Sequence, residues 1–154
     1  EGVEIDEIII PENLIVIGTM NTADRSALHI DYAIRRRFQF IPCFPDRGII
    51  EDYYDNDQLR NKALSLFDKC EEIFEKATGS VIDKNDIQVG HTYFLAESEE
   101  ELLDKMVYQV LPLLREYIKD GVLKSGEDIK FMGVDLNKYP APEQEREIIR
   151  NALG

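Results

Sequence analysis

An abrupt change of character within residues 14–26, Leu-Ile-Val-Ile-Gly-Thr-Met-Asn-Thr-Ala-Asp-Arg-Ser, constrains this chain more than any other feature. Four apolar residues come first, the β-branched pair Ile15 and Val16 among them, which suits a strand buried on both faces. After Gly18 come small or polar side chains: Thr19, Asn21, Thr22, Asp24, Arg25 and Ser26. A buried parallel strand that ends this way carries polar groups to the carboxyl edge of a sheet, where α/β proteins bind ligands. Nine residues on, Arg35-Arg36-Arg37 precedes the apolar-alternating run from Phe38 to Pro42. Strand, polar tip, short helix, arginine cluster and second strand together need about 30 residues, the size of one βαβ unit. For the short helix, Asp24 or Ser26 can serve as cap. Ile30 and Ile34 fall on one face, and Asp31 can pair with Arg35.

Downstream the pattern becomes helical. Phe38 to Phe44 reads as the second strand, and Pro45 to Gly48 as a turn at a domain boundary. Leu59, Ala63, Leu66, Phe67, Cys70, Ile73, Phe74 and Ala77 keep the spacing of one helix face, with Gly79 as its stop. A second helix is expected over 99–119, its apolar face running from Leu103 to Ile118. Glu99, Glu100 and Glu101 suit its positive end. Pro112 removes one backbone bond inside it, which predicts a kink near Tyr108. Residues 129–134 read as a short strand or hairpin arm. Pro142 opens a last helix through Leu153.

Charge narrows the function classes. The net charge is −13, of which residues 1–44 hold −3 and residues 45–154 hold −10. An acidic surface repels a phosphate backbone, so this piece is a poor holder of DNA by itself. The arginine triplet is the one cationic cluster. Cys43 and Cys70 form no CxxC pair, which removes zinc and redox motifs and fits two reduced thiols in a cytoplasmic protein. No apolar run approaches the about 18 residues of a membrane span.

No G-x-x-x-x-G-K-[ST] phosphate loop occurs in the sequence, nor an apolar run ending in adjacent Asp-Glu to hold magnesium. Phosphoryl transfer depends on both. With Glu rather than Met at position 1, the chain reads as a carboxy-terminal fragment, inert by itself.

Residues 17–26, Ile-Gly-Thr-Met-Asn-Thr-Ala-Asp-Arg-Ser, and 31–38, Asp-Tyr-Ala-Ile-Arg-Arg-Arg-Phe, closely resemble the sensor-1 and arginine-finger region of McrB-like AAA+ nucleotidases. Those are the motor subunits of modification-dependent restriction systems. Val89 to Phe94 and Val110 to Tyr117 look like that family's lid. The resemblance implies an α/β fold: the C-terminal strands of an AAA+ P-loop core over residues 1–46, then a mostly helical lid domain over 47–154. It further implies GTP or ATP hydrolysis with Mg in the complete protein and a ring, hexameric in expectation. An McrC-like nuclease partner and DNA bound through parts absent here complete the expectation.

Asn21 is the sharpest candidate. A neutral amide at a strand tip can orient a water and contact a terminal phosphate without adding negative charge; the plainer alternative is a turn-forming Asn. Asp24 and Arg25 can position Asn21 or the attacking water, or Asp24 can simply cap the helix. Thr19 joins Asn21 on the nucleotide side. By the resemblance Arg36, with Arg37 beside it, is the finger that reaches a neighbouring subunit's nucleotide. By the resemblance His91 joins Thr19 and Asn21 among the nucleotide-binding residues, as part of the lid's packing against the nucleotide-binding core, with a structural histidine as the plainer alternative; His29 reads as a surface residue. Within the second lid helix, 99–119, the first arginine is Arg115, so a sensor-2 arginine is not evident. Two other classes fit parts of the pattern: a MoxR-like or dynein-related AAA+ chaperone ATPase, and a non-catalytic acidic helical interaction module.

Overall fold

The computed structural model describes residues 11–20, 31–77, 87–123 and 129–154. They fall into two compact units, Glu1–Gln39 and Phe40–Gly154. Each is best understood by itself.

In the first unit, Leu14 N–H donates to Pro11 O at 3.1 Å, closing the turn that precedes the apolar run. The strand expected at Leu14–Ile17 is not formed: these residues join no ladder, and Ile15 and Ile17 stay 81% and 88% exposed. The second expected strand, Phe38 to Phe44, is likewise irregular. A strand exists through hydrogen bonds to a neighbour, and the described residues supply none for either segment. Helix α1 spans only Tyr32–Arg35. Its cap is Asp31, whose carboxylate accepts from Ala33 N–H at 3.0 Å; the expected caps Asp24 and Ser26 belong to the stretch before it. Those two, with His29, Ile30 and the Gly79 stop, lie outside the described residues.

The second unit is helical with one small hairpin. Helix α2 (Arg47–Tyr53) begins inside the expected turn: Asp46 caps it by accepting from Gly48 N–H at 2.8 Å, so Arg47 and Gly48 become its first turn. Helix α3 (Asp57–Ala77) follows the predicted periodicity. It buries Ala63, Leu66, Phe67, Cys70, Ile73 and Phe74. A 3₁₀ turn at His91–Phe94 leads to α4 (Glu99–Lys105). The start of α4 is fixed by a variant of the capping box, in which Glu101 reaches one residue past the Ser98 cap. Ser98 accepts from Glu101 N–H at 3.2 Å while Glu101 reaches back to Glu97 N–H at 2.8 Å.

The expectation of a kink near Tyr108 is met by a different feature beside Pro112, a change of helical register. Between α4 and α5 (Leu111–Lys119) the chain makes one π turn at Met106–Val110, with Leu111 N–H donating to Met106 O. Proline offers no N–H to Tyr108 O, and widening the preceding turn accommodates its ring without breaking the helix. Helix α5 ends in a Schellman motif: Val122 N–H reaches Tyr117 O at 2.9 Å, Gly121 N–H reaches Ile118 O at 3.1 Å, and Gly121 takes φ 69°.

Strands β1 (Lys130–Phe131) and β2 (Val134–Asp135) pair antiparallel, with Phe131 opposite Val134. The two-residue turn between them places both Met132 (φ 47°) and Gly133 (φ 84°) in the left-handed region, the turn that matches strand twist. Helix α6 (Pro142–Leu153) closes the unit. One core joins these parts: Phe74, Phe94, Leu102, Leu103, Met106, Leu111, Leu114 and Phe131 are fully buried. Phe67 and Phe94 meet edge to face at 5.3 Å. Among the described residues no helix is long and apolar enough to cross a membrane.

Candidate functional site

The candidates divide by where they lie. Asn21, Asp24 and Arg25 fall outside the described residues. Thr19, Arg36 and Arg37 are exposed in the first unit. Arg36 is the carboxyl cap of α1, its N–H held by Tyr32 O at 3.1 Å, and Arg37 N–H is held by Ile34 O at 2.9 Å. Their backbones are therefore fixed by one helical turn. Among the described residues their side chains have no bonding partner, whereas Arg35 is engaged. Three adjacent cations at the end of a four-residue helix exceed what its weak carboxyl-end dipole can use.

His91 lies in the second unit at the start of the 3₁₀ turn. Its Nδ1 accepts from Asp46 N–H at 3.1 Å, which requires the ring proton on Nε2. Its partner is thus the residue that caps α2. At the far end of α2, the buried Tyr54 hydroxyl donates to Phe94 O at 2.7 Å and accepts from Ala96 N–H at 2.8 Å. Burial pushes the Tyr54 phenol above its usual range, and the Ala96 N–H bond opposes that shift. Both ends of α2 are therefore tied to one six-residue stretch, 91–96. Arg47 adds a third tie through Asp68 on α3, Nε to Oδ1 at 2.9 Å, and also pairs with Glu51.

Replacing Tyr54 by Phe strands a buried carbonyl and a buried N–H together. The expected loss of stability is about 2–4 kcal/mol, taking about 1–3 kcal/mol for each unsatisfied group with partial relaxation. The raised phenol also sets a pH dependence. Its contribution is complete below about pH 10, the unfolded value, and declines as pH rises through the higher folded value. Urea unfolding from pH 8 to 11 checks both; a Phe variant with unchanged midpoint and unchanged alkaline slope would refute the assignment.

Three charged side chains are also buried in the second unit, Lys62, Arg115 and Glu145. Lys62 Nζ meets both Glu99 carboxylate oxygens at 2.9 Å, joining α3 to α4. Arg115 on α5 donates from Nη2 to Glu145 Oε1 on α6 at 2.5 Å, the side chains 8% and 4% exposed. The Arg115 guanidinium also lies 4.8 Å from the Tyr139 ring centre, and its Nε has no partner. Arg115, the first arginine of this unit's second long helix, is thus committed within the unit. On the surface, Arg146 links α6 to Glu100 and Asp104 of α4, and Arg150 reaches Glu100 at 2.6 Å.

The sequence reading missed Tyr54, the Ser98–Glu101 capping box and the Arg115–Glu145 pair. Ser-Glu-Glu-Glu at 98–101 carries a legible signal; the other two depend on partners 30 to 42 residues away. An open groove of about 340 Å³ is lined by Arg47, Asn61, Leu64, Ser65, Asp68, Lys69, Glu72 and Met132. Its cations are already paired, Arg47 with Asp68 and Lys69 with Glu72 at 2.8 Å. Among the described residues no group of three or more His, Cys, Asp or Glu side chains could hold a metal ion.

Comparison with known proteins bears on the second unit most directly. Residues 71–125 match the McrB alpha-helical lid domain. Over 134 residues, 75% of its length, the chain is 35% identical to the type IV methyl-directed restriction enzyme EcoKMcrB subunit of Escherichia coli (strain K12). It spans 28% of that relative's length. No solved structure matches it.

Proposed function

The chain belongs to the McrB-like family, and from that premise we propose that it carries the sensor-1, arginine-finger and lid segments of an AAA+ nucleoside triphosphatase that powers a modification-dependent restriction endonuclease. The observation that carries this reading is the lid match at residues 71–125, lying on a helical unit preceded in sequence by the polar tip and arginine triplet. The substrate is GTP or ATP. In this reading the phosphate loop and the Mg ligands belong to other segments of the complete protein. An McrC-like nuclease is the partner, and DNA is engaged through parts outside this chain.

The roles divide by chemistry. Thr19 and Asn21 face the terminal phosphate, Asn21 orienting the attacking water. Asp24 and Arg25 hold that geometry. Arg36, supported by Arg37, enters the adjoining subunit's site in the ring and offsets charge developing on the transferred phosphoryl group.

In the complete protein, Asn21→Ala should keep nucleotide affinity while losing turnover by roughly 10²-fold or more, the scale of one preorganised donor. Calorimetric binding and steady-state hydrolysis measured side by side check this. Parallel losses in both would make Asn21 a turn residue.

A further inference from the structure

Helix α6 is attached to the second unit in a different way from the other long helices. Helix α3 buries Leu64, Leu66, Phe67, Ile73 and Phe74, and α5 buries Leu111 and Leu114. Along α6, Ile149 is the one buried apolar side chain; Leu153 is half-buried and Ile148 is 37% exposed. The hairpin turn packs on this helix, close enough that a Cβ at Gly133 would stand 3.1 Å from Ile148 Cγ2. The remaining attachments are charged. Glu145 meets the Arg115 guanidinium of α5 at 2.5 Å, Arg146 pairs with Glu100 at 3.2 Å and with Asp104, and Arg150 pairs with Glu100 at 2.6 Å. Glu100 thus serves two arginines one helical turn apart, and it is itself 65% exposed.

These ties differ in what they hold. A buried ion pair roughly breaks even against the desolvation of its members, and undocking α6 returns both Arg115 and Glu145 to water together. The buried pair therefore fixes where α6 sits more than how firmly it stays. The exposed pairs to α4 favour the docked state and are weakened by salt. We propose that α6 is an ionically held strap, which opens as a unit while α2 to α5 and the hairpin stay folded, the Arg146 and Arg150 pairs with α4 setting how often it opens. Opening bares the Arg115 guanidinium, whose carboxylate partner leaves with α6, and so presents a cation beside the Tyr139 ring.

Hydrogen exchange of the complete protein, followed over overlapping peptides, tests this, because exchange under native conditions reports local opening. Peptides within 142–153 should exchange together and faster than those of α3 and α5. Raising salt from about 0.05 to about 1 M shortens the screening length to about 3 Å. That change should speed exchange in α6 roughly 3- to 30-fold, the scale of two or three exposed pairs, and leave α3 and α5 unmoved. Glu100→Gln weakens the hold on both arginines. At low salt it should give a similar acceleration confined to α6, and it should lose most of the salt response. Exchange of α6 in step with α3 and α5 would make the unit one cooperative block and overturn the proposal. A salt response absent from the wild type, or undiminished in Glu100→Gln, would overturn it too, since either places the hold in Ile149 and the hairpin contact.

Discussion

Arg36→Ala in the complete protein should abolish nearly all nucleotide hydrolysis, and mixing it with an equally dead Asn21→Ala protein should bring activity back. The argument begins with local structure. Asp31 caps α1, and one helical turn fixes the backbones of Arg36 and Arg37. Neither side chain finds a partner among the described residues, although both project from an exposed surface. Adjacent like charges repel, and a use in a neighbouring subunit is the one the proposed function assigns them. If that use lies in the next subunit's site, a subunit lacking Arg36 keeps its own Asn21 and damages only its neighbour. A subunit lacking Asn21 damages itself and still lends its arginine. Some interfaces in a mixed ring then hold one intact copy of each. A trans arginine contributes on the order of 10³ to 10⁵ in rate, so even a small share of restored interfaces rises far above either parent. Rings shown to exchange subunits, yet as inactive mixed as unmixed, would return the triplet to a charge cluster at a helix end.

What the sequence made legible divides along the same physical lines. Helices α3 and α5 were readable because an apolar face repeats every three to four residues, and burial of Leu66, Phe74, Leu111 and Leu114 follows that repeat; α6 was announced by Pro142 at its first turn. Pro112 announced a disturbance of its helix, because its missing N–H is a property of one residue; that the disturbance would be a π turn at Met106–Val110 depends on how neighbouring turns share the strain. The hairpin at 130–135 was only half visible. Met132-Gly133 is not an Asn-Gly or Asp-Gly turn, and Met132 holds φ 47° with its side chain buried in the core. Residues 14–17 show the opposite failure. Their composition suits a strand, but a strand is a relation between segments, and the described residues provide no second member. His91 was legible as a residue worth watching and illegible in its role, since Asp46 stands 45 positions earlier.

The same limitation of single positions explains why Arg115 looked like nothing in particular, and it sets up the largest expected change in stability. Glu145→Gln keeps size and hydrogen-bonding shape while removing the charge that faces Arg115. The guanidinium is then left 92% buried with a neutral partner and a ring face at 4.8 Å. Its Nε already lacks an acceptor, so no remaining bond can be redirected without opening the α5–α6 contact. Removing one member of a buried pair costs about 3–5 kcal/mol, most of it from the stranded charge. That is a large fraction of the about 5–15 kcal/mol that holds a domain together. Removing both members is a different experiment. Arg115→Met with Glu145→Leu replaces the pair by apolar side chains of similar reach, and such replacements are neutral or stabilising by about 1–4 kcal/mol. The expected pattern in urea unfolding of the 154-residue chain is therefore strongly non-additive: two damaging single changes and a benign double. Single variants within about 1 kcal/mol of the parent, the scale of an exposed pair, would show that the Arg115–Glu145 contact is solvated and that α6 is held instead by Ile149 and by the Arg146 and Arg150 pairs with α4.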